Sequence, residues 1–375
     1  MSTFEWMDWA RVVNNLQVDI TSFCNARCGA CIRNIDGGET RPGLKLANFD
    51  IDTWKRLAIK DTKGWWIREL TLNGNWGDPM MHPNLVEMID IWTTHHPESS
   101  IFIATNGSMR TTKFWGDLAT VLRQASSHKI DFAIDGMEDT HHLYRRRTDF
   151  NKIIENVKSF NANKGHSVVM MTMFEHNKHQ IDEVRELARE IGARSFVARR
   201  SFTGDRTVSI VDKNESYTIK AYYPKDDKDK DIFNDSDHYR TEFHENDVPM
   251  SDLKDGSIYM NVNDMFHDVF DEHRESKCPW KQEGEVQIDP WGTVWPCCHI
   301  SLYGGGDASA YLDMGKELNE DAAEENVIGK AKEDNNLNKF ELGDILNNHW
   351  FHKTLNRAII SADWKVCRNN CGICK

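Results

Sequence analysis

The chain has 375 residues, enough for one large domain or for a large and a small one. Apolar residues make up 39% and charged residues 28%, the balance of an ordinary globular protein, and no apolar run reaches the about 18 residues that span a membrane. The formal net charge of -13 argues against a broad basic surface of the kind that binds duplex nucleic acid nonspecifically by displacing counterions.

Residues 1–11 carry Glu5 and Asp8 and lack the basic-then-apolar layout of a secretory signal, so the cytoplasm is the expected compartment. From residue 14 to about 200, short β-rich runs alternate with helical patterns. The strand candidates are Leu16–Thr21, Ile67–Leu72, Ser100–Thr105, Lys129–Ile134, Ser167–Met173 and Ser195–Arg199. Several are nearly continuous apolar runs, as in parallel strands buried on both faces. Pro83–Thr93, Thr111–Ala125, Phe150–Ala162 and Lys178–Ile191 carry apolar residues at three- and four-residue spacing, and Gly192 follows the last as a C-cap. Repeated strand–helix units mean parallel strands joined by right-handed crossovers, in a doubly wound sheet or a curved, barrel-like one. Either way, ligands gather at the C-terminal strand ends.

Arg145, Arg146 and Arg147 form one basic run and Arg199 and Arg200 another; each reads equally as a solvated element end or a local basic pocket. From about 203 to 275 the pattern breaks down, and Lys225–Lys230 is a charge run. A solvated loop or insertion is expected there, or a lid over substrate. Val286–Asp289 and Thr293–Trp295 flank Pro290-Trp291-Gly292 and read as a β-hairpin. Gly304–Asn335 reads as irregular and Phe340–Ile360 as helical.

The nine cysteines fall in three groups: 24, 28 and 31; 278, 297 and 298; 367, 371 and 374. An odd count without a secretory signal suits a disulfide framework poorly, and tight clusters point to metal. The first group reads Cys24-x3-Cys28-x2-Cys31 directly after the first strand. Soft thiolates at this density suit iron–sulfur clusters or zinc. Three thiolates leave one iron of a [4Fe–4S] cube without a protein ligand, and an open position is what catalysis at a metal needs.

This spacing resembles the signature of the radical S-adenosylmethionine (SAM) superfamily. After the second strand, Asn73-Gly74-Asn75-Trp76-Gly77-Asp78-Pro79 is similar to the family's glycine-rich segment ending in an acid. Thr105-Asn106-Gly107 follows the third strand, Ala133-Ile134-Asp135-Gly136 ends the fourth, and Thr172 and Asn177 flank the end of the fifth. The resemblance implies a partial (β/α)6 TIM-like barrel, a [4Fe–4S] cluster on Cys24, Cys28 and Cys31, and SAM chelating the open iron. It also implies cofactor contacts by Gly77, Asp78, Thr105, Asn106 and Asp135. Two departures stand out: Ala30 where many relatives carry an aromatic residue, and Ala133 where they carry serine.

The spacing Cys278-x13-Gly292-x4-Cys297 looks like the opening of a SPASM or twitch domain, the auxiliary-cluster extension of many radical SAM enzymes. That resemblance implies a second [4Fe–4S] cluster on Cys278 and Cys297 with two of Cys367, Cys371 and Cys374. Alternatively those last three hold a cluster of their own, or structural zinc. Cys298, on the other side of an extended chain, is expected to pack in the core. The expected division is a barrel at 14–202, a charged insertion or lid at 203–275 and a small cysteine-rich domain at 276–375. Trp65, Trp66 and Trp76 read as core or rim packing. His299 is a candidate ligand; Asp289 or an acid in the 203–275 segment could serve as a general base if the reaction is an oxidation, and no local pattern picks a catalytic residue.

Relatives with such extensions include sactipeptide maturases, anaerobic sulfatase-maturing enzymes and the butirosin dehydrogenase. The resemblance therefore implies peptide or protein modification, or small-molecule dehydrogenation, with an electron donor such as flavodoxin or ferredoxin as partner. The first strand begins near residue 16, so no N-terminal leader-binding domain is expected. The competing class is a non-catalytic iron–sulfur or zinc protein that binds a partner.

Overall fold

Alternating apolar and polar side chains along the strands decide which face of the sheet meets the helices. The computed structural model describes residues 13–201, 207–213, 215–222, 238–243, 284–298, 300–301 and 330–355. Its central strands are β1 (Asn15–Val18), β2 (Glu69–Leu72), β3 (Ser100–Thr105), β4 (Ser127–Ala133), β5 (Ser167–Met173) and β6 (Ser195–Arg200), side by side in chain order. Each neighbouring pair is parallel, with Leu16 opposite Leu70, Leu70 opposite Ile101, Ile103 opposite Ile130, Phe132 opposite Val169, and Val169 opposite Phe196.

Those apolar residues share one face, and all are buried. Against it pack α1 (Ile51–Arg56), α2 (Leu85–His95), α3 (Thr112–Leu122), α5 (Phe150–Ala162) and α6 (Ile181–Glu190), while α4 (Glu138–Tyr144) sets Leu143 and Tyr144 in a separate cluster with Cys28 and Phe174. Trp54, Trp92, Trp115 and Phe160 fill the space between sheet and helices. Side-chain caps fix three helix starts: Asp50 accepts from Thr53 N, Thr111 from Phe114 N, and Asp149 from Lys152 N. Gly192, at φ +76°, turns the chain out of α6 as expected.

The opposite face carries Gln17, Asp19, Thr71, Phe102, Lys129 and Asp131. On β2 and β3 it stays half-buried where the helix-side residues are fully buried. This is the inner side of a barrel wall. The strand order runs linearly from one edge to the other, with no pairing between the two ends among the described residues. The wall is therefore a partial barrel, as the resemblance implied.

Three elements correct the sequence reading. Within the span expected to be a solvated loop, β7 (Thr207–Asp212) and β8 (Glu215–Lys220) form an antiparallel hairpin, and β9 (His238–Glu242) adds antiparallel to β6. Val208 and Ile210 do alternate along β7, but the exposed Val211 beside them breaks the two-residue period. The second hairpin forms where expected, as β10 (Glu285–Ile288) and β11 (Val294–Trp295). It extends the barrel wall, because β10 runs parallel to β1 with Leu16 opposite Val286 and Val18 opposite Ile288. Toward the C-terminus, α7 (Leu342–Leu346) and a π-helical turn at Trp350–Leu355 replace one continuous helix, and 356–375 lie outside the described residues.

Candidate active site

The loop after β1 carries the cysteine triplet over the C-terminal strand ends. Cys24 and Cys31 are half-buried and Cys28 is buried. Burial pushes all three thiols up, Cys28 to about 11. Two cations oppose that rise: the Arg145 Nη1 lies 3.6 Å from Cys28 Sγ, and Arg33 acts on Cys24 and Cys31.

Arg33 carries the most specific signal. Its buried guanidinium donates from Nε to Trp76 O at 3.0 Å and from Nη2 to Ser22 O at 2.8 Å. Its Nη1 is buried with no hydrogen-bond partner among the described residues. A buried cation held only by carbonyl oxygens is costly unless an anion stands beside it. Deprotonated cysteines supply that anion, so the donor set fits an iron–sulfur group. Among the described residues no three His, Cys, Asp or Glu side chains converge on a single-ion position; in a cubane cluster each thiolate serves its own iron.

The β7–β8 hairpin covers this loop. A Cβ on Gly29 would lie 2.3 Å from Ile210 Cδ1 and 2.9 Å from Val208 Cγ1, so the apolar side chains press on its backbone. Arg146 fastens the cover, pairing with Asp212 at 2.8 Å and Glu215 at 2.8 Å, and Arg147 reaches Asp212 at 3.3 Å. Tyr217 donates to Leu143 O at 2.8 Å. The solvated reading of Arg145–Arg147 is thus corrected: Arg145 and Arg146 are fixed by partners, and only Arg147 is half-exposed. Arg199 is exposed at the end of β6.

The glycine-rich segment after β2 is clamped to the cysteine loop. A Cβ on Gly77 would meet Thr21 O at 2.4 Å and Phe23 O at 2.5 Å, while Asp78 N donates to Phe23 O at 2.9 Å. Only glycine allows that approach. The buried Asp78 carboxylate accepts from Thr105 Oγ1 at 2.9 Å, Asn106 N at 2.8 Å, Asn106 Nδ2 at 2.5 Å and Met80 N at 3.0 Å. Burial raises its pKa, and these donors oppose the rise. Asn106 Nδ2 also reaches Asn25 Oδ1 at 2.9 Å.

Asp135 organises the far side. It pairs with Arg145 Nε at 2.5 Å and accepts from Thr172 N at 2.6 Å, while Asn177 Nδ2 donates to its carbonyl at 3.0 Å. The structure therefore brings Cys24, Cys28, Cys31, Gly77, Asp78, Thr105, Asn106 and Asp135 to one end of the wall. Asp78 and Asp135 are engaged by the protein's own donors.

Sequence reasoning missed Arg33, Asp19 and Gln287. Asp19 is fully buried at the end of β1 and accepts from Asn75 N at 2.8 Å and Gln287 Nε2 at 2.8 Å. Burial without a cationic partner raises its pKa to about 7. Asp289, on the neighbouring strand end, accepts from Trp291 N, Thr293 N and Trp295 Nε1 at 2.8–3.0 Å, and burial raises its pKa to about 6. Its oxygens shape the hairpin turn. The available signal was polar residues alternating with Leu16, Val18 and Ile20 in β1.

Of the C-terminal cysteines, Cys278, Cys367, Cys371 and Cys374 lie outside the described residues, as does His299. Cys297 belongs to the core, and Cys298 is half-buried where packing in the core was expected. Ser301 N donates to Cys297 O at 3.1 Å, so the chain turns helically here and the alternation of an extended strand does not apply. Trp76 is buried, Trp65 half-buried and Trp66 62% exposed, which keeps all three as core or rim residues.

Residues 18–188 match the Radical SAM superfamily. A GTP 3',8-cyclase of Desulforamulus reducens is 22% identical over 187 residues, 49% of this chain and 54% of that protein. The chain thus spans about half the length of that relative. A second GTP 3',8-cyclase, from Streptomyces coelicolor, is 27% identical over 153 residues, 39% of this chain and 40% of that one. Among solved structures, Streptococcus suis SuiB bound to precursor peptide SuiA superposes with a TM-score of 0.50 at 13% identity, over 92% of this chain and 66% of that one. At that identity the likeness shows a shared fold. No helix among the described residues is long and apolar enough to cross a membrane.

Two predictions come from this geometry. Gly77→Ala forces its Cβ into two backbone carbonyls, so the loop must move; SAM binding, measured by equilibrium dialysis on cluster-loaded protein, is expected to weaken by about 100-fold or more. Binding within about threefold of wild type contradicts the clamp. The second concerns pH. The folded chain holds a proton on Asp19 that the unfolded chain releases near 3.8, so this group's stabilisation is full below that value and is lost as pH rises through about 7. At about 1.4 kcal/mol per pKa unit the loss is roughly 4 kcal/mol. Denaturant midpoints from pH 5 to 7.5 should therefore fall less steeply in Asp19→Asn than in wild type; equal slopes contradict the assignment.

Proposed function

We propose that the chain, whose residues 18–188 match the Radical SAM superfamily, is a radical SAM enzyme acting on an organic substrate, with a [4Fe–4S] cluster on Cys24, Cys28 and Cys31. The observation that carries this reading is the buried Arg33, whose Nη1 has no partner among the described residues, beside a cysteine triplet whose loop is locked to a glycine-rich segment. When bound, the cluster and SAM supply an electron and a 5′-deoxyadenosyl radical that abstracts hydrogen from substrate.

The chain's own residues prepare that step. Gly77 lets the backbone come close to a ligand, and Asp78 presents a carboxylate to the cofactor's ammonium group while Thr105 and Asn106 hold it in place. Asp135 orients Arg145 toward Cys28. Val208 and Ile210 keep water from the cysteine loop, which strengthens every charge interaction beneath them.

The half-buried, polar inner face of the sheet supports a polar substrate. The relatives named GTP 3',8-cyclases support a small-molecule substrate and SuiB, seen with a precursor peptide, supports a peptide one, the two substrate classes of this reading. A second [4Fe–4S] cluster on Cys278 and Cys297 with two of Cys367, Cys371 and Cys374, in a SPASM- or twitch-like region, completes the proposal. Flavodoxin or ferredoxin would supply electrons, in the cytoplasm.

The test is anaerobic reconstitution followed by dithionite reduction with SAM. Wild type is expected to hold about eight irons and to release 5′-deoxyadenosine; a Cys24/Cys28/Cys31 triple-alanine variant should hold about four and release none. Wild type that yields no 5′-deoxyadenosine contradicts the enzyme reading. About four irons with one zinc retained would remove the second cluster alone.

A further inference from the structure

The β10–β11 hairpin touches the glycine-rich segment by two independent routes. The first runs through a buried carboxylate: Gln287 Nε2 donates to Asp19 Oδ2 at 2.8 Å, and Asp19 Oδ1 accepts from Asn75 N at 2.8 Å. Gln287 and Asp19 are both fully buried, so neither hydrogen bond is exchanged cheaply for water. The second is apolar. Trp291, at the hairpin turn, meets Trp76 edge-on with ring centroids 5.4 Å apart and planes at 70°. Trp76 is 1% exposed and stands apart from the main core, in a small cluster with Ile32, Leu44 and Trp291. Its burial therefore depends on the hairpin. The turn is itself stiffened by Asp289, and Trp291 O is held by Asn338 Nδ2 at 2.9 Å.

Asn75 and Trp76 lie directly before Gly77 and Asp78. Gly74, at φ +66°, begins the tight turn, and Asn75 N is the amide that Asp19 fixes. Without Trp291 the loop loses the wall behind Trp76, and without Gln287 the carboxylate that holds Asn75 loses a partner. We propose that Gln287 and Trp291 are positioning residues for the cofactor loop at 73–79, so that the C-terminal hairpin is a working part of the SAM site. This deepens the reading above and rests on it for the identity of the ligand, while the loop contacts stand without it.

Hydrogen exchange of the full-length chain, read by mass spectrometry on peptides spanning 73–79, tests the brace without any cofactor. Trp291→Ala and Gln287→Ala should each speed exchange there by roughly tenfold. Val294→Ala, which thins the same hairpin without touching the loop, should lower thermal stability and leave 73–79 unchanged. Trp291→Phe, which keeps an aromatic edge, should restore most of the protection even if the alanine variant folds poorly. On cluster-loaded protein the two alanine variants should bind SAM about fivefold or more weakly with unchanged iron at the first site, and Val294→Ala should match wild type. Exchange at 73–79 within about twofold of wild type in both alanine variants overturns the proposal, as does an equal effect of Val294→Ala. Wild-type protein that binds no SAM overturns the cofactor reading and leaves the exchange result to decide the brace.

Discussion

The Asp78 carboxylate, buried at the ends of β2 and β3, takes donors from two segments. Met80 N comes from its own turn, and Thr105 and Asn106 come from the next strand end. A buried carboxylate is tolerated only when its lone pairs are met, so the two strand ends cannot separate without exposing an unpaired charge. Asp78 N at the same time donates to Phe23 O in the cysteine loop. One residue thus registers three consecutive loops, and the positions of Cys24, Gly77 and Asn106 follow from it. Arg33 makes the complementary clamp with the opposite charge, bridging Trp76 O and Ser22 O and leaving its Nη1 buried without a hydrogen-bond partner among the described residues.

This geometry is possible because the sheet is two-faced. Its helix side is packed with aromatic and branched side chains, whose burial at about 25 cal/mol per Å² drives folding. That leaves the inner side available for groups that would be costly in a core: Asp19, Asp131, Gln17 and Gln287. Two hairpins then close parts of the inner side. One, β7–β8, lays Val208 and Ile210 on Gly29. The other, β10–β11, reaches Trp76 and, through Asp19, Asn75.

Much of this was legible in residue order. Ser100–Thr105 and Ser167–Met173 coincide with β3 and β5, because both are apolar runs with clear polar or glycine boundaries. The site motifs were legible too, since loops at strand ends must use glycine and small polar residues to approach a ligand. The β7–β8 hairpin was not, because the exposed Val211 breaks the alternation of Val208 and Ile210, and β8 buries only Ile219 among its six residues. Nor was the pairing of β10 with β1, a contact between residues 16 and 286 that no local pattern encodes. Arg33 carries no local signal, because what distinguishes it is the pair of backbone carbonyls, at 22 and 76, that its guanidinium bridges. Cys298 is half-buried rather than packed in the core, because the chain turns helically where an extended strand was expected.

The central claim is that these clamped loops hold a cluster with an open iron to which SAM binds. Electron paramagnetic resonance of the anaerobically reduced protein, before and after adding SAM, tests this most directly. The account predicts a reduced-cluster signal whose g-values change on adding SAM, and loss of that SAM-dependent change in Cys24→Ala, Cys28→Ala and Cys31→Ala. A spectrum indifferent to SAM, or a response that survives loss of those cysteines, would contradict it.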